Sequence, residues 1–131
     1  MLIEKPWGYE VIWAKTPKYL GKILHINAGS SLSLQFHREK DETVYVLKGT
    51  LTLEICLPIQ MQADGSWDIS AFESQKFTKT LNPGESYRIV PTMIHRMAAS
   101  DESVEILEVS TPEIDDVVRL VDKYGRAPIT S

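Results

Sequence analysis

The sequence predicts an all-β fold, an antiparallel sandwich or barrel, and three observations carry that reading. Short runs rich in β-branched, aromatic and leucine residues recur along the chain, turn formers separate them, and helical periodicity is scarce. Residues 9–14 and 19–26 open the series with Tyr9, Val11 and Trp13, then Tyr19, Ile23 and Ile26, and end at the turn Asn27-Ala28-Gly29. Residues 31–36 set Leu32, Leu34 and Phe36 in strict alternation. Residues 43–47 and 50–57 alternate on either side of Lys48-Gly49. Residues 66–71 follow Ala63-Asp64-Gly65, and residues 77–81 and 86–90 flank Asn82-Pro83-Gly84. Residues 95–99 and 104–110 complete the set of about ten strands, with no helices between them to cross over a parallel sheet. Residues 111–124 depart from the pattern. Thr111-Pro112-Glu113 is a helix-start signal, and Ile114, Val117, Val118 and Val121 follow at helical spacing, which predicts one short C-terminal helix. Residues 57–79 are the least regular stretch and predict a hairpin or flap projecting from the barrel.

A chain of 131 residues, 43% hydrophobic and 24% charged, suits one domain over residues 1–131 with one core. Fourteen Lys and Arg against eighteen Asp and Glu, with no long run of either sign, argue against a nucleic-acid or anionic-membrane partner. Charge interrupts every apolar run well short of the roughly 18 to 20 residues a membrane-spanning helix needs. Glu4, Lys5 and Pro6 break the opening segment where a secretory signal requires an unbroken apolar one, so the expected compartment is the cytoplasm. The single Cys56 stands in an apolar alternating stretch and reads as a small buried hydrophobe.

Two segments carry chemistry. Gln35 and His37 are two apart on a predicted strand, so their side chains leave the same face, and Glu42 begins the next strand after a tight turn over residues 38–41. The second segment runs from Asn82-Pro83-Gly84 through residues 86–90 and Pro91 to His95 at the start of another strand. Two imidazoles, a carboxylate and an amide oxygen converging inside a barrel would hold a divalent first-row metal and leave positions open for water or substrate. His25 reads by contrast as a hydrogen-bonded structural residue.

The offsets of Gly29, Gln35, His37, Glu42 and Gly49, followed by Asn82-Pro83-Gly84 and Pro91 to His95, resemble the two sequence motifs of the cupin superfamily. That resemblance implies an antiparallel double-stranded β-helix, a jelly-roll barrel, with a metal inside. Lys5-Pro6-Trp7-Gly8-Tyr9-Glu10, Leu32-Ser33-Leu34-Gln35 and the run from Asp115 to Arg126 are similar to the cupin domain of type II mannose-6-phosphate isomerases. The pattern Gln-x-His is similar to that of phosphomannose isomerases, which implies zinc, with Fe, Mn, Ni or Co as other candidates. The chain departs from that family where a run of His is replaced by Arg38 and Glu39, where Thr92 takes the place of a Gly, and in the length of residues 57–79.

The resemblance implies a sugar phosphate as ligand and an aldose–ketose isomerisation, mannose 6-phosphate to fructose 6-phosphate, through a metal-stabilised enediol. Such a reaction needs a base, for which Lys22, Glu108, His25 and a metal-bound hydroxide are candidates, and a cationic grip on the phosphate. Arg96 follows His95 directly and is expected at the catalytic site, while Arg88, Arg119, Lys123 and Arg126 fall in segments resembling the family signature and are expected to bind substrate. Trp7 and Tyr124 either pack the barrel wall or stack on the sugar. Other readings are a non-catalytic sugar-binding cupin that keeps its metal, a nucleotide-sugar epimerase, and a dioxygenase, against which Gln35 argues. Residues 57–79 are expected over the barrel mouth. A homodimer is implied by resemblance, with residues 9–26 as segments available to pair with a second subunit.

Overall fold

The computed structural model describes residues 1–113 and 116–121. Its described residues form two antiparallel sheets. The strands are β1 (Leu2–Lys5), β2 (Gly8–Lys15), β3 (Leu20–Ile26), β4 (Leu34–Phe36), β5 (Glu42–Lys48), β6 (Leu51–Ile55), β7 (Phe77–Leu81), β8 (Ser86–Ile89), β9 (His95–Ala99), β10 (Val104–Ser110) and β11 (Val118–Val121), with one helical turn, α1 (Ala71–Gln75). One sheet runs β1-β2-β3-β10-β5-β8 and the other β11-β4-β9-β6-β7. The all-β expectation holds. Among the described residues no helix is long and apolar enough to cross a membrane.

The inward faces explain where the core ends and a polar site begins. Period-two alternation points Val104, Ile106, Glu108 and Ser110 of β10 to the interior, and their order along the strand is apolar first, polar last. The same gradient runs along Val46, Val44 and Glu42 of β5, along Ala99, Met97 and His95 of β9, and along Ile26, Leu24 and Lys22 of β3. Register aligns these gradients, since Ile106 sits beside Leu24 and Val46, Glu108 beside Lys22 and Val44, and Ser110 beside Glu42. The apolar ends fuse into one core around Val44, Ile55, Met97 and Ile106, and at the polar ends Lys22, Glu42 and Glu108 line one cavity. Gly49 makes the β5–β6 turn with a φ of +80°, and a Cβ there would lie 2.4 Å from the Ser103 carbonyl oxygen, so glycine is required.

A second core lies on the far side of the five-stranded sheet. Leu34 and Phe36 of β4, Ile94 and Val118 bury against Cys56, Ile59 and Phe72, with Trp67 edge-on to Phe36 at 5.2 Å between ring centroids. The segment 57–76 therefore covers the outside of that sheet and does not cover the barrel mouth as expected, and residues 57–79 contribute nothing to the cavity lining. Cys56 is fully buried in this cluster, where burial raises its thiol pKa, as a structural Cys requires.

Two expectations are corrected and one strand is added. Residues 66–71 do not form a strand: Trp67 makes one isolated bridge to Met61 and the chain then turns into α1. Residues 118–121 of the expected C-terminal helix form β11, because pairing with β4 lets Val118 and Leu120 join the second core while Arg119 turns to the cavity, a period of two and not 3.6. Residues 114–115 and 122–124 of that expected helix lie outside the described residues. The opening LIEK alternation forms β1, which the sequence reading passed over, and residues 9–26 form β2 and β3, committed to their own sheet through β10.

Candidate metal centre

His37 follows β4, Glu42 opens β5 and His95 opens β9, and their donor atoms lie within 4.8 Å of one another. His37 Nε2 is 3.7 Å from Glu42 Oε2, and His95 Nε2 is 3.5 Å from Glu42 Oε1. All three are buried, with Glu42 at 2% and His95 at 0% exposure.

Each imidazole is oriented from behind. His37 Nδ1 donates to the main-chain oxygen of Asp116 at 2.5 Å, and His95 Nδ1 donates to that of Met93 at 2.9 Å. A carbonyl only accepts, so the ring proton sits on Nδ1 and the Nε2 lone pair faces the carboxylate, the tautomer a metal ligand needs. Burial above all, then the nearby His95 and Lys40, lowers the His37 pKa to about 3, so this ring is neutral at physiological pH.

The cluster fits a divalent ion. Among the described residues Glu42 Oε1 and His95 Nε2 are buried without a hydrogen bond, a costly condition that a metal between them would relieve. Two imidazole nitrogens with a carboxylate suit first-row metals from Mn to Zn. Gln35 lines the same cavity, pairs across the β4–β9 ladder with His95, and accepts at Oε1 from Ser33 Oγ at 3.2 Å.

Lysines and glutamates surround this cluster. Lys40 Nζ is 3.2 Å from Glu42 Oε2 and 3.0 Å from Glu108 Oε2. Burial opposes its charge, but Glu108 and Glu42 outweigh burial and hold its pKa above the ordinary Lys value. Lys22 pairs with Glu10 at 3.3 Å, and Lys5 approaches the same carboxylate at 3.9 Å. Lys5, Lys22, Lys40, Arg119, Glu10 and Glu108 all line the cavity with His37 and Glu42 of the cluster.

The sequence-predicted residues divide cleanly. Gln35, His37, Glu42, Lys22, Glu108 and Arg119 line one cavity, and His95 joins His37 and Glu42 in the donor cluster behind its wall. Arg96 does not: it leaves the opposite face of β9 from His95 and pairs with Glu54 at 3.0 Å. Arg88 is exposed on β8 and grips Asp41 with two hydrogen bonds, away from the cavity. His25 stacks on Tyr9 at 4.8 Å and pairs with Glu105 on the outside of the sheet. Trp7 is buried in the main core and borders the cavity. Lys123, Tyr124 and Arg126 lie outside the described residues. Sequence reasoning missed Lys40, Glu10 and Lys5. The available signal was a charge on an inward-facing alternation, as at Glu10 beside Gly8 and Lys22 between Leu20 and Leu24.

Comparisons with known proteins agree with this fold. The chain is 30% identical over 126 residues to the mannose-1-phosphate guanylyltransferase of Escherichia coli (strain K12), which covers 95% of the chain and 23% of that protein's length. It superposes on KdgF from Halomonas sp. with a TM-score of 0.66 at 17% identity, covering 88% of this chain and 91% of that one. Against the Bacillus subtilis oxalate decarboxylase with Mn(II) centres the TM-score is 0.67 at 18% identity, over 91% of this chain and 29% of the other. The family pattern described as Cupin matches residues 19–120, the span from the start of β3 into β11 that builds the metal cluster and its barrel, and the chain belongs to the cupin family.

Proposed function

We propose that the chain is a metal-dependent aldose–ketose isomerase that interconverts mannose 6-phosphate and fructose 6-phosphate. One observation carries this reading: a cavity that brings His37 and Glu42, two members of the His37–Glu42–His95 cluster, together with the cations Lys5, Lys22 and Arg119 and the carboxylates Glu10 and Glu108. The likeness to part of a mannose-1-phosphate guanylyltransferase supports a mannose phosphate as the ligand.

Gln35, His37, Glu42 and His95 would hold the ion, zinc in this reading. When bound, it polarises the sugar's C1 and C2 oxygens and stabilises the negative charge that develops on them. As the C2 hydroxyl proton passes to the C1 oxygen, the reaction moves the C2 proton of the aldose to C1, which gives the ketose. Glu108, a cavity carboxylate on β10, is the group assigned to carry that proton, and Lys40 at 3.0 Å balances its charge. Lys22, engaged with Glu10, serves with Lys5 and Arg119 to grip the phosphate. The protein works in this reading on a soluble sugar phosphate in the cytoplasm. Exposed Tyr45, Leu47 and Val109 on the six-stranded sheet support a homodimer.

Proton NMR of zinc-loaded protein with mannose 6-phosphate in heavy water tests this. Fructose 6-phosphate and deuterium at C2 of the mannose ester are expected. Folded, metal-loaded protein that gives neither contradicts the isomerase.

One observation favours a second reading, a non-catalytic sugar-phosphate-binding cupin. Both cavity carboxylates outside the metal cluster are engaged by lysines, Glu10 by Lys22 and Glu108 by Lys40. Binding of the ester without exchange of its C2 proton would select this reading.

A further inference from the structure

We infer that Lys40 is a positioning residue that competes with a metal for Glu42 Oε2 and weakens the metal's hold on the site. The inference rests on the reading of His37, Glu42 and His95 as the metal cluster.

Lys40 is only 4% exposed, an expensive place for an ammonium unless its contacts are built in. They are. The Asp116 carboxylate accepts the backbone N–H groups of Arg38 at 3.1 Å, Glu39 at 2.6 Å and Lys40 at 2.9 Å, which fixes the turn from which the side chain reaches inward. Its Nζ then meets Glu42 Oε2 and Glu108 Oε2. The two oxygens of Glu42 are thereby made unequal. Oε2 is held by Lys40, and Oε1 faces His95 Nε2 with no hydrogen bond among the described residues.

Charge gives the direction of the effect. Glu42 and Glu108 are two carboxylates sharing the one ammonium of Lys40, so this trio in contact with the cluster presents a net charge of −1 to a divalent ion. Removing Lys40 leaves −2, frees Oε2, and sets two buried carboxylates facing each other in the metal-free protein, which binding of a cation relieves. Lys40→Met is therefore expected to tighten divalent-metal binding by about tenfold or more, since it removes a positive charge beside the ion. Glu108→Gln does the reverse. It leaves the whole Lys40 charge on Glu42, and binding weakens by about tenfold.

The test is a chelator-competition titration of Co(II) into the metal-stripped full chain, as wild type, Lys40→Met and Glu108→Gln, with the visible spectrum of the bound ion recorded. Tighter binding in Lys40→Met, with a weaker Co(II) absorption from an added oxygen donor, and looser binding in Glu108→Gln are the expected results. Unchanged or weaker binding in a folded Lys40→Met overturns the inference while the metal reading stands. If Lys40→Met does not fold, Glu108→Gln decides alone, and unchanged or tighter binding there overturns it. A wild-type chain that binds no Co(II) overturns the metal reading itself.

Discussion

His37 Nδ1 and the main-chain oxygen of Asp116 lie 2.5 Å apart across 79 positions of sequence, and the Asp116 side chain returns to cap the three backbone N–H groups that follow His37. One residue thus orients a metal-cluster imidazole and fixes the turn leading to Lys40 and Glu42. Burial pushes the Asp116 carboxyl upward, but the donors of Glu39, Lys40 and Arg38 outweigh it and hold its pKa below the usual carboxylate range. Asp116→Ala is expected to cost about 2–4 kcal/mol of stability, with hydrogen bonds to a charged acceptor worth roughly 1.5–3 each and not additive. It should also weaken metal binding by about tenfold or more. Urea unfolding and metal titration of the variant check both, and loss of neither would contradict the role.

Thr92 holds a φ of +70°, a left-handed conformation that a β-branched residue adopts at a cost of about 1–3 kcal/mol. Its N–H donates to the His37 carbonyl at 2.7 Å and its carbonyl accepts from Ile59 at 3.0 Å, so the neighbours impose the conformation. Thr92→Gly removes the strain and returns roughly 0.5–1 kcal/mol to the unfolded chain's entropy. A net gain of about 0.5–2 kcal/mol in urea unfolding is expected, and destabilisation would show that the threonine side chain contributes more than its strain costs.

Phe72, 4% exposed, anchors the segment 57–76 to the outside of the five-stranded sheet. Phe72→Ala is expected to cost about 3–5 kcal/mol. Affinity for the sugar phosphate should stay within about threefold of wild type, on the order of RT, because residues 57–79 do not line the cavity. Calorimetry of unfolding and of ligand binding separates the two, and a large affinity loss without destabilisation would place that segment at the mouth.

The cations divide into those inside the cavity and those outside it. Lys22→Met should weaken binding of the phosphate ester at least about tenfold, the loss of one charge-assisted contact. Arg88→Met and Arg96→Met, whose partners are Asp41 and Glu54 on the outer surfaces, should leave that affinity unchanged. Titration of each variant with mannose 6-phosphate checks the division. Equal losses in all three would mean that the cavity is not the phosphate site.

The His37–Glu42–His95 cluster was legible in the sequence because its residues stand at fixed offsets beside turns, His37 just past β4 and Glu42 and His95 at strand starts, where register is set locally. The ion pairs around it were not. Lys40 meets Glu108 across 68 positions, and Glu10 meets Lys22 only because β2 and β3 pair in a particular register. Arg96 was misplaced by adjacency to His95, although the same period of two that joins Gln35 to His37 sends neighbours on a strand to opposite faces. At residues 118–121 local helical spacing lost to pairing with the open edge of β4, a tertiary contact no window of sequence contains. The placement of 57–76 likewise followed from Leu34 and Phe36, whose outward faces are too apolar to leave bare.

The central claim is that His37, Glu42 and His95 hold one divalent metal, and metal content measured by mass spectrometry on dialysed protein tests it most directly. Wild type should carry about one ion per chain, while folded His37→Ala and His95→Ala should carry close to none, consistent with the loss of one of few protein ligands. Unchanged metal content in both folded variants would contradict the account.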